Sequence, residues 1–523
     1  MRAIALEVRL TQNLKSAVGP GLRMAITRRD VTEHGLRRTL VVVGVMAAAL
    51  MQTLDITITN VALPTIQGNL GASADEGTWV VTAYTIAAII VIPITPWLQD
   101  RFGRKRYFAV SIVGFTLASI GCGISDTLQA LIFMRVVQGI FGGGILATAQ
   151  GILRDTFPPR QLGASQAIFA LGAILGPALG PPIGGWLVDN FSWNWVFFIN
   201  IAPGTIATIL LLMILRDPTD PRATRVDLVG LVLLTVTLST MQYVLTEGER
   251  NYWFANDGIT LASVLCVTGL ASFIFWELHM TDVPIVDLSI FKNRSVASGF
   301  VLALALGAVV FGSTYVVPQL TQGPLGFTPT LSGELFILRA IPIAVLTPVA
   351  ARIAGRIDAR WLLGGGFLLM AWGLWLQVGV TTSTAGFWSF AVPLATVGAA
   401  SALLFVPLSI AVLGNTTPSE GPKAAAMVNL GVQLGGSIAV ALLDVVVDRR
   451  EAMHSQILAG YENIRRQPVE QFLQHGGTLA QLGNIVGSQS AVLAFADATY
   501  VMGLVALFCT PLVLLMRRPR PQQ

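Results

Sequence analysis

The sequence predicts an all-α integral membrane protein with fourteen transmembrane helices. Three observations carry that prediction. Of 523 residues, 54% are hydrophobic and only 12% are charged, about half the charged share of a soluble domain. Apolar runs long enough to cross a hydrocarbon core of about 30 Å recur along the chain. Lysine and arginine collect between alternate runs, 26 of the 33 on one side, 5 on the other and 2 inside runs.

In chain order the runs cover residues 39–63, 79–98, 107–124, 127–152, 163–187, 194–215, 227–246, 258–277, 296–318, 332–352, 361–380, 387–411, 423–447 and 494–516. The side rich in lysine and arginine belongs in the cytoplasm. Both chain ends are therefore expected there, which requires an even number of spans. Residues 1–38 form a polar, weakly basic tail without the short apolar core of a signal peptide. It reads equally as a surface-lying amphipathic helix or as a plain tail. Residues 448–492 form the only long hydrophilic loop, outside by the parity of spans, with short helices expected around 453–461 and 469–473. Residues 517–523 return to the cytoplasm.

Several function classes drop out. The net charge of +5 sits in short loops between apolar runs, so it is no signal for nucleic acid. Cys122, Cys266 and Cys509 lie within apolar runs and read as small hydrophobes. His34, His279, His454 and His475 form no metal-spaced pair, and no cofactor is expected. The phosphate-cradling G-x-x-x-x-G-K-[ST] loop is absent, which argues against an ATP-driven pump. No nucleophile–base pair suggests a membrane enzyme.

The first span holds one carboxylate, Asp55, among Thr57, Thr59 and Asn60. A charge at the centre of a membrane helix costs at least about 2.5–3.5 kcal/mol, and such residues mark ion or substrate paths. We expect the chain to build a protein-lined cavity around Asp55. Arg135 is the second buried charge, in the fourth span. At 1.5 Å rise per residue, both lie roughly 12 Å below the outer surface. Equal depth allows an ion pair or a relay. Burial disfavours an ionised carboxylate and a nearby guanidinium favours it, the setting of a proton carrier; a fixed structural pair is the alternative. Gln52, Asn60, Tyr84, Gln138, Gln319, Asn429 and Gln433 are candidate lining residues for substrate. Arg339, deep in the tenth span, either faces the cavity and favours an anionic or zwitterionic substrate, or holds a structural partner. Glu334, five residues earlier, is expected at the outer interface.

Two motifs concern movement. Gly172, Gly176, Gly180 and Gly184 recur at four-residue spacing in the fifth span, with Pro177, Pro181 and Pro182 between them. Such a stripe lets another helix approach closely, and the prolines favour a bend. After the second span, Asp100-Arg101-Phe102-Gly103-Arg104-Lys105 suits a tight turn at Gly103. Asp100 is placed to meet an arginine or a helix N-terminus as an ionic latch; plain charge anchoring is the alternative.

These residues carry a resemblance. Asp100–Lys105 resembles the cytoplasmic loop signature of the major facilitator superfamily, although Pro96 stands where its leading glycine is usual. Arg135, Gln138 and Gly139 are similar to its fourth-helix signature, which the family associates with proton coupling. Gly172–Gly185 is similar to the signature of its antiporters. Leu54–Pro64, Trp193–Asn200 and Pro284–Arg294 resemble the fourteen-span drug:proton antiporters, the EmrB/QacA subfamily, and the EmrB type most. The resemblance covers roughly residues 38–516.

It implies a major facilitator fold: a six-helix bundle over 39–215, two inserted helices and linkers over 216–295, and a second six-helix bundle over 296–516. It implies proton-coupled multidrug efflux across the bacterial inner membrane, with lipophilic small molecules and protons as substrates. Members of the EmrB type work with a periplasmic adaptor and an outer-membrane channel, and loop 448–492 is the expected adaptor contact. A dedicated exporter of a metabolite, siderophore or lipid precursor, or a stand-alone drug exporter, remains the alternative.

Overall fold

A computed structural model describes residues 33–72, 74–216, 227–281, 284–354, 357–417, 420–460, 467–475 and 478–516. The N-terminal tail through residue 32 and the tail from 517 lie outside the described residues. Among the described residues, fourteen helices are long and apolar enough to cross a membrane. They are α1 (Gly35–Leu70), α2 (Ala74–Phe102), α3 (Arg104–Gly123), α4 (Leu128–Thr156), α5 (Leu162–Asn190), α6 (Trp195–Ile214) and α7 (Leu228–Glu247). They continue as α8 (Asp257–His279), α9 (Arg294–Gln322), α10 (Pro329–Ala354), α11 (Ala359–Val380), α12 (Ala391–Leu413), α13 (Gly421–Ala459) and α14 (Leu479–Leu512).

Packing partners recur along the chain. α1 lies on α5 and α6, as α9 lies on α13 and α14; α3 lies on α4 and α6, as α11 lies on α12 and α14. The two sets meet chiefly where α5 runs along α10, and again where α2 and α4 meet α13. α7 and α8 pack on each other, and α7 also touches α2 and α13. The Trp79 and Tyr243 rings, 6.2 Å apart, join α2 to α7.

The glycine stripe explains the α1–α5 contact. Gly172 faces Met46, Gly176 faces Thr53 and Leu54, and Gly180 and Gly184 face Thr57 and Ile58. The approach is close enough for Thr53 Oγ1 to donate to the Gly172 carbonyl at 3.2 Å, and Thr57 Oγ1 to that of Gly176 at 3.5 Å. A second face of α5 meets α10, with Gly185 against Pro329 and Gly333 against the Pro181 carbonyl. α5 is thus the strut shared by α1 and α10.

Two expectations need correction. α4 is broken at Gly143 and Gly144 into Leu128–Gly142 and Ile145–Thr156. The glycines let α4 press on α2, with Gly139 against the Tyr84 carbonyl and Gly143 against that of Ala88. Loop 448–492 is mostly helix: α13 continues unbroken to Ala459, and α14 begins at Leu479. Apolar runs mark the part of a helix that lipid covers, and a helix continues into water where no breaker intervenes. A capping box, Thr478 with Gln481, starts α14. His454 on α13 meets Asp497 on α14 at 2.9 Å, with Arg450 also 3.6 Å from that carboxylate. Near 469–473 the expected short helix is Gln467–Gln474.

Candidate functional site

Asp55 and Arg135 meet inside the α1–α6 set. Arg135 Nη1 donates to Asp55 Oδ2 at 2.6 Å, and both side chains are fully buried. Asp55 Oδ1 accepts from Gln138 Nε2 at 2.9 Å and from Asn200 Nδ2 at 2.7 Å. Gln138 and Asn200 each also donate to Ser119 Oγ, at 2.6 and 3.1 Å. Arg135 Nε donates to the Val80 carbonyl at 2.9 Å, and Nη1 also to Gln138 Oε1 at 2.6 Å. The guanidinium lies 4.3 Å from the centre of the Tyr84 ring and 5.8 Å from that of Phe197, a cation–π seat on two helices. Four helices, α1, α3, α4 and α6, therefore converge on one carboxylate.

The cavity lies elsewhere. Thr53, Ile56, Leu146, Ala173 and Pro177 on one side, and Leu306, Val310, Phe311, Ser401, Phe405, Asn429, Val432 and Gln433 on the other, enclose about 40 Å³. At 3.6 residues per turn, Asp55 points away from the face of α1 that carries Thr53 and Ile56. The expectation of a cavity around Asp55 is corrected: the carboxylate sits behind the cavity wall. A space of 40 Å³ holds waters, whereas small-molecule sites run to about 300–1,000 Å³.

The cavity is closed on the face where α1 begins and α14 ends. Arg154 Nη2 donates to the carbonyls of Leu413 and Thr416 at 3.3 Å each. Gln150, in the second half of α4, donates to Gln166 at 3.0 Å and to Ser409 at 3.2 Å, and accepts from Asn429 at 2.9 Å. Toward the opposite face, Thr330 donates to Asp189 at 2.5 Å between α10 and α5.

The other sequence candidates fall into distinct places. Asn429 and Gln433 line the cavity. Gln138 and Tyr84 belong to the charge network. Gln52 Oε1 accepts the Leu146 N–H at 3.1 Å, satisfying a donor that the break in α4 leaves without its helical partner. Asn60 and Gln319 are exposed on the C-terminal halves of α1 and α9. Arg339 is 3% exposed and Nη1 donates to Ser313 at 2.9 Å and Thr314 at 3.3 Å. Glu334 is exposed. In the α2–α3 turn Gly103 has φ +85°, a conformation suited to glycine. Arg104 there pairs with Asp155 at the end of α4 at 2.8 Å, while Asp100 and Arg101 are exposed.

Sequence reasoning missed Asn200 and Ser119 as site residues. Asn200 had a signal, an amide at the end of the aromatic run from Trp193. Ser119 had none, since serine is common in membrane helices.

The fold and a buried ion pair between helices define a multi-pass membrane transporter. The chain belongs to the Major Facilitator Superfamily, whose sequence profile matches residues 45–322, more than half its length. It is 35% identical over 422 residues to the Multidrug export protein EmrB of Escherichia coli K12, covering 80% of this chain and 82% of that one. It is 30% identical over 493 residues to the Fatty acid resistance protein FarB of Neisseria gonorrhoeae, covering 90% and 94%. Among solved structures, a bacterial homologue of the human lysosomal transporter Spinster, inward-facing and unoccupied, matches with a TM-score of 0.58. That match has 15% identity and covers 94% of this chain and all of that one, a likeness of fold.

Proposed function

We propose that this chain is a drug:proton antiporter of the bacterial inner membrane, exporting lipophilic small molecules by alternating access. The observation that carries the reading is the sealed Asp55–Arg135 pair with its amide partners. A buried pair of this kind is often no more stabilising than well-packed apolar residues of similar volume, so its presence favours a working role. The names of the relatives, a multidrug exporter first, support export.

In this mechanism Asp55 carries the proton. Protonation removes the negative partner of Arg135 and loosens α1 from α4. α1 also forms cavity wall through Thr53 and Ile56, so proton occupancy changes the cavity without proton and substrate sharing one site. The halves 39–215 and 296–516 rock about the α5–α10 contact, with 216–295 inserted between them. As they part, substrate meets Asn429 and Gln433, then Asn60, Gln319 and Arg339, while Gln138 and Tyr84 stay with the charge pair and Gln52 with the Leu146 N–H. Gly172, Gly176, Pro177, Gly180 and Gly184 keep α1 on α5 during the movement, and the turn Asp100–Arg104 latches the cytoplasmic face. Each proton entering down the potential supplies about 2.3 kcal/mol per 100 mV.

The lysine and arginine asymmetry supports a cytoplasmic location for both chain ends. A periplasmic adaptor and an outer-membrane channel are the proposed partners. The extended ends of α13 and α14 expose Met453, Ile457 and Ile485, a surface suited to an adaptor.

The test is substrate-driven proton movement in proteoliposomes, comparing native protein with Asp55→Asn, using a lipophilic cationic dye and an uncoupler-type weak acid. Native protein is expected to couple efflux to proton entry, and the variant to bind substrate without coupling. A variant that pumps as well as native makes Asp55 structural and overturns the reading.

A further inference from the structure

Arg135 and Arg339 are both buried in the interior of their spans, and they differ in one respect. Arg135 has a carboxylate at 2.6 Å. Arg339, equally deep in α10, forms no ion pair among the described residues. Among the described residues its hydrogen bonds run only from Nη1 to the Ser313 and Thr314 hydroxyls of α9. Neutral hydroxyls hold the group in place and leave its charge uncompensated, which is costly away from water.

The free part of the group has a useful shape. With Nη1 engaged, Nε and Nη2 remain. These two N–H groups form the side edge of the guanidinium, which matches the two oxygens of a carboxylate or other planar anion.

The position is equally specific. Ser313 follows Val310 of the cavity wall by one helical turn. Gly398 of α12, which lies against the Arg339 carbonyl, precedes Ser401 of the cavity wall by one turn. One turn is about 5 Å. Along α9 and α12 the cation thus stands just beyond the apolar cavity, on the side away from the Gln150–Asn429 closure.

We infer that Arg339 docks the anionic group of an amphipathic substrate whose apolar body fills the central cavity. The inference deepens the export reading above and rests on it. The substrate class is a lipophilic carboxylate, phenolate or sulfonate, with Ser313 and Thr314 as positioning residues. The cavity enlarges around the apolar body as the halves part, and the anion supplies the missing countercharge.

The test is equilibrium binding to the purified full chain in nanodiscs, without a proton gradient, using anthracene-9-carboxylate, its neutral carboxamide and the cationic 9-(aminomethyl)anthracene. These probes share one apolar body and differ in charge. Native protein is expected to bind the carboxylate at least about tenfold more tightly than the carboxamide. Arg339→Gln should remove that preference and leave carboxamide affinity unchanged, and Arg339→Lys should keep part of it. Equal binding of carboxylate and carboxamide by native protein overturns the inference without any variant, as does a preference that survives Arg339→Gln in folded protein. Proton coupling is read separately from the Asp55→Asn transport assay. Absence of antiport in native protein, or an Asp55→Asn variant that pumps as well as native, with an intact anion preference sinks the export reading alone; antiport that depends on Asp55 without an anion preference sinks the Arg339 assignment alone.

Discussion

Arg135 Nη1 lies 2.6 Å from Asp55 Oδ2, and neither side chain has any surface open to solvent. The pair spans α1 and α4, and Arg135 retains one buried nitrogen, Nη2, without a hydrogen-bond partner. A change at Asp55 therefore leaves the guanidinium with the Tyr84 and Phe197 rings and neutral dipoles, and a change at Arg135 leaves the carboxylate with the Gln138 and Asn200 amides.

Asp55→Ala should cost about 3–5 kcal/mol of stability, because it strands Arg135. Asp55→Ala combined with Arg135→Leu should recover most of that loss. Denaturant unfolding in mixed micelles, read as a double-mutant cycle, measures the coupling. Additive losses would show that the two side chains do not depend on each other.

Gly176→Ala should be destabilising by about 1–3 kcal/mol, the range for forcing extra volume into a packed site. The new Cβ meets Thr53 Oγ1 and Cβ and the Leu54 backbone nitrogen. Adding Thr53→Ala removes the hydroxyl and should restore part of the loss. Thermal melts of the single and double variants in detergent give the comparison, and no recovery would place the strain on the Leu54 backbone instead.

Gln150→Ala removes two hydrogen bonds between the sets, to Ser409 and Asn429. At about 1 kcal/mol each, their loss shifts an open–closed equilibrium by roughly thirtyfold. Ala351, buried near Gly163 on that face, is a suitable reporter. Maleimide labelling of Ala351→Cys should accelerate in the Gln150→Ala background. An unchanged rate would mean that the Arg154 contacts close this face alone.

Lys423 Nζ lies 2.7 Å from Asp287 Oδ2 and ties the segment after α8 to the start of α13. Burial opposes ionisation of Asp287, but Lys423 and Ser289 outweigh it and hold the carboxyl below the usual carboxylate range. A lowered folded-state pKa stabilises above the unfolded value of about 3.9, and that stabilisation fades as pH falls through the folded value. Hydrogen-exchange protection in residues 284–293, taken relative to the intrinsic rate at each pH, should therefore be steady down to about pH 4 and fall below it. Asp287→Asn should exchange faster throughout and lose the acid step; an acid step that persists would assign it to another group.

Much of this was legible in the sequence because it is local. Charge content and run length determine the span count, and the lysine and arginine asymmetry predicts an orientation. Rise per residue gives depth, so Asp55 and Arg135 could be matched along the membrane normal before any contact was known. The stripe from Gly172 to Gly184 announced a close helix approach, since only residues without bulk permit it.

Tertiary structure alone decided what lies across each helix. Depth does not specify azimuth, and Asp55 turned out to face Ser119, Gln138 and Asn200, with the cavity on the other side of α1. Gln52 looked like a cavity amide, but the break in α4 created a backbone donor that it fills. The presence or absence of a countercharge for Arg339 is likewise a property of neighbours from α9 and α12, distant in sequence. Hydrophobicity and rise act through each residue's own chemistry, whereas hydrogen bonds and ion pairs require two specific helices to meet at one rotation.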